Sequence, residues 1–298
     1  MFFEYAVEPE ALSTWQRARY LLDALRPEKG RFICDLPKGK WKRLIYQSLI
    51  NCPEIEKARV AEKLKQLQTS ALVRRTDSYD DQKSWIENAE SSHRQTPFKA
   101  IIVATAGKLS HHINSDDVDE SHPLWTTSSG APISKTVDAF VNCATCLIRV
   151  SQRVILIDPH FRPGDREKRS VLEALSKKVL SSSAKLELVV GDDLSYDELK
   201  RQVTKDLPKH LPSGIEVTIH QIAEKAGGAR VHNRYILTNR SGLQFGDGLE
   251  EGPPGHGDRV SILDATSHQQ YWTEHTTLEA NFAILGPALT VVGKKAIK

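Results

Sequence analysis

The regular exchange of helical and strand-like segments after residue 133 constrains the fold of this chain more than any other feature of its sequence. The run Val154–Ile157 is apolar at every position, which is typical of a strand covered on both faces of a parallel sheet. The segments predicted around it are a helix at 134–150, strands at 153–158, 185–190, 214–220, 230–238 and 260–264, and helices at 166–181, 195–206 and 266–284. This pattern predicts an α/β domain at 133–298, with a mostly parallel sheet flanked by helices.

The chain before residue 133 has a different pattern. Apolar residues at helical spacing predict helices at about 10–26, 39–51 and 53–70, and the first of these opens with capping-box spacing at Ser13–Gln16. Residues 1–75 are therefore predicted to be a small helical lobe. Residues 76–132 are predicted to be a connector, which contains one strand at 99–104 and a polar loop at 108–132.

Positive charge is concentrated in the predicted lobe. The whole chain has a formal net charge of +3, whereas residues 26–75 contain thirteen Lys or Arg and five acids. Such a cluster is typical of a surface that binds a polyanion, although solvated helix faces with Glu/Lys pairs account for it equally well. The candidate nucleic-acid contacts are Lys38, Lys40, Lys42 and Arg43.

Composition excludes several classes of protein. Four cysteines are too few for a disulfide scaffold, and the pair Cys143 and Cys146 lies within an apolar helical run, which favours packing over zinc binding. No apolar run reaches membrane-spanning length and no signal peptide is recognisable, so we expect a soluble, cytoplasmic protein. His111-His112 and the acids at 116–119 share no metal-ligand spacing, so we expect a solvated loop there and neither a metal nor a cofactor.

Chemically distinctive residues lie at two predicted strand ends. Asp158 ends the strand predicted at 153–158 and His160 follows it, whereas His232 and Arg234 open the strand predicted at 230–238. Alternation along a strand predicts that His232 and Arg234 share one face. Ligands of α/β domains gather at the carboxyl ends of strands, so these positions are the candidate site.

The segment from His232 to Leu249 resembles the HKD motif of the phospholipase D superfamily, which reads His-x-Lys, four residues, Asp, six residues, Gly-Ser. His232, Arg234, Asn239, Gly246 and Asp247 stand at the positions of His, Lys, Asp, Gly and Ser. The variant Gly246–Glu250 is more similar to a subgroup that comprises the phospholipase D-like C-terminal domain found beside MIT domains and its bacterial relatives in antiviral defence or mobile-element systems. The resemblance covers about half of the chain.

The resemblance implies a phosphate site in which His232 is the nucleophile, Arg234 the phosphate clamp and His160 a second acid, oriented by Asp158 and Asp247. Asn239, Gly246 and Gly248 would complete the phosphate-binding set. In the superfamily two copies of the motif form one active site, whereas this chain has one copy. Turnover would therefore require a homodimer or the recruitment of His160.

Three functions are compatible with these residues and with the resemblance. The first is recognition of a phosphate-bearing ligand or nucleic acid without efficient turnover. The second is a metal-independent phosphodiesterase or nuclease that acts through a His232 phosphohistidine. The third is a protein-protein adaptor with a remnant site, whose partners would be other proteins of the same system.

Overall fold

The computed structural model describes residues 1–105, 107–179 and 184–294. Contacts divide the chain into two compact units, Phe2–Ser128 and a second one that contains Met1 and the residues from Ser129 onward. The sequence places domain boundaries after residues 75 and 132, whereas this division falls between residues 128 and 129.

The described part of the first unit is built around a parallel sheet of five strands in the order β3-β2-β1-β4-β5. Its elements in chain order are β1 (Phe3–Val7), α1 (Trp15–Ala24), β2 (Arg31–Cys34), α2 (Trp41–Ser48), α3 (Glu54–Gln66), β3 (Leu72–Val73), α4 (Trp85–Gln95), β4 (Ala100–Val103) and β5 (His112–Asn114), with short 3-10 segments at Pro9–Leu12, Pro27–Lys29 and Thr69–Ala71.

The three helices predicted in residues 1–75 are confirmed as α1, α2 and α3, and the predicted strand at 99–104 is confirmed as β4. The predicted helical lobe also contains strands, because β1, β2 and β3 lie within residues 1–75. These strands have two to five residues, too few to establish a periodic pattern. In addition, β2 begins with Arg31, whose buried guanidinium pairs with Glu120.

The described strands of the second unit form one mixed sheet of nine, in the order β13-β9-β8-β7-β10-β11-β12-β6, with β14 paired to β9. The elements are β6 (Gly130–Ser134), α5 (Val137–Arg149), β7 (Arg153–Ile157), α6 (Arg166–Ser176), β8 (Lys185–Val190), α7 (Tyr196–Lys205), α8 (Leu207–His210), β9 (Glu216–Ala223), β10 (Arg234–Thr238), β11 (Gly242–Phe245), β12 (Gly257–Ile262), α9 (Ala265–Thr276), α10 (Leu278–Asn281), β13 (Ala283–Ile284) and β14 (Leu289–Val292).

The predicted α/β class is confirmed. In the second unit, parallel pairing among the described strands is confined to β7, β8 and β9, and the remaining pairs are antiparallel. A turn of three residues joins β10 and β11 as a hairpin. The strand predicted at 230–238 begins at Arg234 in the structure. Positions 180–181 of the helix predicted at 166–181 lie outside the described residues.

The mixed sheet is covered on both faces. Helix α9 lies on one face, where Tyr271 stacks on Tyr235 with ring centroids 4.6 Å apart. Helix α5 contacts β10 on the opposite face. The carboxyl end of β7 and the start of β10 share one edge, because Tyr235 pairs with Ile157 in antiparallel register. None of the described helices is long and apolar enough to cross a bilayer.

Candidate functional site: a charged cluster at one edge of the mixed sheet

The carboxylate of Asp158 anchors this edge of the sheet. Asp158 follows β7 directly and is completely buried. Its two oxygens accept hydrogen bonds from the backbone N–H groups of His160 and Leu249, each at 3.0 Å. A buried carboxylate needs such donors. The bond from Leu249 fixes the segment Gly246–Glu250 to the end of β7.

The hairpin of β10 and β11 brings the same segment to Arg234. Arg234 pairs with Phe245 in the hairpin register, so Gly246 and Asp247 follow next to it. A Cβ on Gly246 would lie 2.9 Å from Asp258 Oδ1, which is too close for most side chains. Asp258 Oδ1 also accepts the N–H of Asp247 at 3.0 Å. Glycine at 246 therefore allows a close approach of two chain segments.

Two nearly buried lysines meet the carboxylates of this segment. Lys135 Nζ donates to Asp247 Oδ2 at 2.8 Å and lies 3.3 Å from Glu250 Oε1. Lys168 Nζ donates to the carbonyl oxygen of His160 and lies 3.4 Å from Glu250 Oε2. The lysine side chains are 5% and 10% exposed, whereas that of Asp247 is 62% exposed. We call Lys135, Lys168, Arg234, Asp247 and Glu250 the charged cluster.

Opposite charges in this cluster favour one another's ionised forms. Burial alone would lower the pKa of Lys135, but its hydrogen bond to Asp247 and the charge of Glu250 outweigh burial and raise that pKa. The pKa of Asp247 is lowered, first by the hydrogen bond from Lys135 and also by the Gly248 N–H and the nearby charge of Arg234. Both groups therefore stay ionised near neutral pH.

Arg234 lies on the β10 side of the cluster and retains unused donors. Its Nη1 donates to the carbonyl oxygen of His232 at 3.0 Å. Its Nε is buried and has no hydrogen-bond partner among the described residues. The planar guanidinium can donate two hydrogen bonds to two oxygens of an anion such as phosphate.

The structure does not bring His232 and Arg234 to one cavity. His232 precedes β10 and lines a cavity of about 160 Å³ together with Tyr235, Tyr271 and His275. Arg234 is not among the residues that line it. Neighbouring strand residues point to opposite faces, so Arg234 and Tyr235 face different sides of the sheet. The predicted alternation of strand faces does not apply to His232, because β10 begins two residues later, at Arg234.

His160 lies beside the cluster and is oriented by a carboxylate. Its Nδ1 is 3.1 Å from Asp193 Oδ2, and Arg162 Nη2 donates to the same oxygen at 3.2 Å. Burial would raise the pKa of Asp193, but these two partners outweigh burial and lower it. With Nδ1–H directed at Asp193, the Nε2 atom of a neutral His160 ring is an acceptor. The carbonyl of His160 also holds Lys168, which links this pair to the charged cluster.

Of the predicted phosphate-binding residues Asn239 and Gly248, only Gly248 lies at the charged cluster. Asn239 follows the far end of β10, roughly 16 Å from Arg234 at the usual rise of a strand. Its Oδ1 accepts the N–H groups of Gln152 and Arg153 at 2.9 and 3.2 Å. The structure therefore places Asn239 in a turn contact away from the cluster, whereas Gly248 lies within the segment that carries Asp247.

Sequence reasoning missed Lys135, Lys168 and Asp193 as members of this edge. A signal existed for Lys168, because it shares the buried face of α6 with Val171 and Leu172 at helical spacing. A lysine on an apolar helix face is uncommon unless it is paired. Lys135 and Asp193 lie outside regular elements and have no comparable pattern.

The four basic residues predicted to contact nucleic acid lie at the end of β2 and the start of α2. Lys38, Lys40 and Arg43 are exposed, and none of them forms an ion pair with another described residue. Lys42 differs, because its Nζ donates to the carbonyl oxygen of Leu64 at 2.8 Å. The loop is held by the buried Asp35, whose carboxylate accepts the Gly39 N–H at 2.9 Å.

Comparisons with known proteins give only distant similarities. No protein-family model matches the sequence, and no curated protein matches it. Among solved structures, a polyphosphate kinase from Porphyromonas gingivalis is 13% identical with a TM-score of 0.35, and covers 51% of this chain and 26% of its own. The archaeal chromatin protein TrmBL2, described with a novel mode of DNA binding, is 9% identical with a TM-score of 0.31, over 53% of this chain and 54% of its own. At these scores neither similarity identifies the function of this chain.

Proposed function

We propose that the second unit is a phospholipase D-like domain that recognises a phosphate-bearing ligand at the charged cluster without efficient turnover. The observation that carries this proposal is that Lys135 and Lys168, both nearly buried, converge on Glu250, while Lys135 also pairs with Asp247 near Arg234. Phosphate oxygens would pair with the lysines at the positions that the carboxylates of Asp247 and Glu250 occupy.

A phosphate oxygen can replace the carboxylate of Asp247 beside Lys135 at a small cost in free energy. The Asp247 side chain is 62% exposed, so water can solvate its carboxylate, and Lys135 keeps a second partner in Glu250 at 3.3 Å. Asp247 can therefore rotate into solvent while a phosphate oxygen takes its place against Lys135. Arg234, whose charge lowers the pKa of Asp247, adds a further cation beside the same anion.

The same geometry argues against efficient turnover. In the superfamily the histidine attacks the phosphorus that the basic residue holds, so both groups must face one atom. Here His232 lines a different cavity from Arg234. Asp247 also keeps a negative charge where the superfamily has a neutral serine, and this charge repels an incoming phosphodiester.

Titration with inorganic phosphate, followed by calorimetry, tests the proposal. Lys168→Met should weaken phosphate binding at least 10-fold, because it removes a buried cation from the cluster. Lys177→Met is the matched control, since Lys177 lies just after the same helix but is exposed and paired with Glu173. Equal affinities of Lys168→Met and the wild-type protein would refute the proposal, as would the absence of phosphate binding.

We further propose that the physiological ligand is a nucleic acid, which Lys38, Lys40 and Arg43 contact in the first unit. Their exposure and their lack of acidic partners among the described residues support this. Binding of a labelled oligonucleotide should weaken steeply with salt. Replacing the three residues with Gln should reduce the logarithmic salt slope by about three, since each phosphate contact contributes about one.

The matched control for this experiment replaces Lys200, Lys205 and Lys209 with Gln. These residues are also exposed and also remove three positive charges, but they belong to the second unit. An equal loss of affinity in both triple variants would show a non-specific charge effect and would refute the assignment to the loop after β2.

A second candidate function is a metal-independent phosphodiesterase, as a single chain or a homodimer. The pair of His160 and Asp193 supports it, because a carboxylate that orients an imidazole is a common device in acid–base catalysis. Hydrolysis of bis(p-nitrophenyl) phosphate in the presence of EDTA should then be lost in His160→Gln and in His232→Gln. Activity that survives both changes would end this candidate. A role in antiviral defence and an adaptor function stay predictions from the resemblance.

A further inference from the structure

A second group of ionisable side chains lies in the first unit, where β5 meets α4. The Glu90 carboxylate oxygen Oε1 is 2.8 Å from His111 Nε2 and 2.5 Å from His112 Nε2. The side chain of His112 is 5% exposed, that of Glu90 14% and that of His111 24%. Two imidazoles and one carboxylate therefore converge in a mostly buried position.

Convergence of consecutive residues is unusual, because neighbours in an extended chain point to opposite faces. Here the chain turns just before β5, with the His112 N–H donating to the Leu109 carbonyl oxygen. The two rings stand at 89° to each other, with centroids 5.1 Å apart. The turn directs both Nε2 atoms to Glu90.

The positions of the two rings are fixed by packing. A Cβ on Gly107 would lie 2.2 Å from the Cβ of His112, so only glycine permits this approach. The ring of His111 is stacked on His93 with centroids 4.0 Å apart, and His93 Nδ1 accepts the Phe98 N–H. The arrangement therefore does not depend on freely rotating surface side chains.

We propose that Glu90, His111 and His112 bind a divalent transition-metal ion, with Zn²⁺ preferred. Two imidazole nitrogens and one carboxylate oxygen are a ligand set of zinc sites that keep a fourth, open position. The three ligand atoms all lie within 4.8 Å of one another. Ligands of tetrahedral zinc are roughly 3.3 Å apart at bond lengths of about 2.0–2.1 Å, so the two contacts between Glu90 and the histidines need to open by less than about 1 Å.

The carboxylate in this site comes from a helix and not from the loop acids that follow the histidines. Asp116 pairs with Arg17 instead, and Asp119 accepts hydrogen bonds from Ser121. The sequence predicts a solvated loop here because the two histidines and these acids share no metal-ligand spacing. Glu90 from α4 supplies the third ligand that the loop does not.

Metal titration of the full chain tests the proposal. After treatment with EDTA and dialysis, calorimetric titration with ZnCl₂ should give one site, and CoCl₂ should produce the visible absorption bands of tetrahedral Co²⁺. Glu90→Gln and His112→Ala should each weaken Zn²⁺ binding at least 10-fold and abolish the cobalt bands. His256→Ala, an exposed histidine of the second unit, should leave both unchanged.

Folding of the variants is checked separately. Glu90→Gln keeps the size of the side chain and can still form hydrogen bonds, so its circular dichroism without metal should match that of the wild-type protein. Zn²⁺ should raise the melting temperature of the wild-type protein but not that of Glu90→Gln. If the wild-type protein binds no Zn²⁺, or if Glu90→Gln binds it equally well, Glu90 and the two histidines form only a hydrogen-bonded group and the proposal is wrong.

Discussion

Replacement of Asp247 by serine tests the phosphate site most directly. Asp247 stands where the resembled superfamily has serine, and its carboxylate accepts a hydrogen bond from Lys135 at 2.8 Å. The change removes one negative charge from the position that a phosphate oxygen would take. Lys135 keeps a second partner in Glu250 at 3.3 Å, so the protein should remain folded. We expect Asp247→Ser to bind phosphate more tightly than the wild-type protein.

The magnitude follows from Coulomb's law. Two unit charges about 6 Å apart interact by roughly 0.7 kcal/mol in water and by roughly 3 kcal/mol at the effective dielectric constant near a protein surface. Because the side chain of Asp247 is 62% exposed, the lower part of this range applies, about 1 kcal/mol. Removal of the repulsion should therefore strengthen phosphate binding about 5-fold, and salt should reduce the gain.

Calorimetry with inorganic phosphate at low and high salt measures this effect. Asp247→Asn separates charge from shape, since it keeps the side-chain volume and should give a similar gain. Asp197→Ser, which removes an exposed carboxylate from the first turn of α7, controls for the change in net charge. Unchanged or weaker phosphate binding in both Asp247 variants would show that the carboxylate does not compete with phosphate, and the proposed site would then be wrong.

Two further predictions concern stability, measured by urea denaturation. Burial would raise the pKa of Glu187, but His220, whose Nε2 lies 3.5 Å from Glu187 Oε2, and two hydrogen bonds from Arg153 outweigh burial and lower that pKa from 4.5 to about 2. Glu187→Gln should therefore cost at most about 3 kcal/mol at pH 7. The difference in unfolding free energy between the wild-type protein and Glu187→Gln should disappear as pH falls from about 4.5 through 2, because protonation of Glu187 removes the stabilisation. A difference that does not depend on pH would contradict this prediction. Arg75→Met should cost about 3–5 kcal/mol, because the buried Glu4 loses the guanidinium that binds both its oxygens at 2.7 and 3.0 Å; a loss below about 1 kcal/mol would refute this.

The sequence predicts strands well where burial alone determines the residue pattern. Strand β7 is recognisable because Val154–Ile157 is apolar throughout and buried on both faces. Strand β2 is not, because it has four residues and its first residue is a charged arginine. Burial of Arg31 depends on Glu120, which is far away in the chain, and on Trp125, whose ring lies 4.3 Å from the guanidinium. No local pattern reveals such a partner.

At the candidate site too, residues of one continuous segment are predictable, whereas partners distant in the chain are not. The motif residues Arg234 and Asp247 were predicted from one continuous segment, and the structure places them near each other. Lys135, which is 112 residues before Asp247 in the chain, could not be predicted, because only the order of strands in the sheet brings β6 and its following residues close. The position of Lys168 on the buried face of α6 was visible in the sequence, but its carboxylate partner was not.

The spacing of the motif is evidence for the fold rather than for chemistry. Strand β10 covers five residues, the turn after it three, and β11 four, so the hairpin register pairs Arg234 with Phe245. Any hairpin with these lengths would place its next residues, here Gly246 and Asp247, beside the start of the first strand. A chain can therefore keep the spacing after the reaction is lost. The chemistry depends on charge at the individual positions. A carboxylate in place of the serine hydroxyl converts a donor to phosphate into a competitor of phosphate, so we expect the charge at position 247, and not the spacing, to control the affinity of this site.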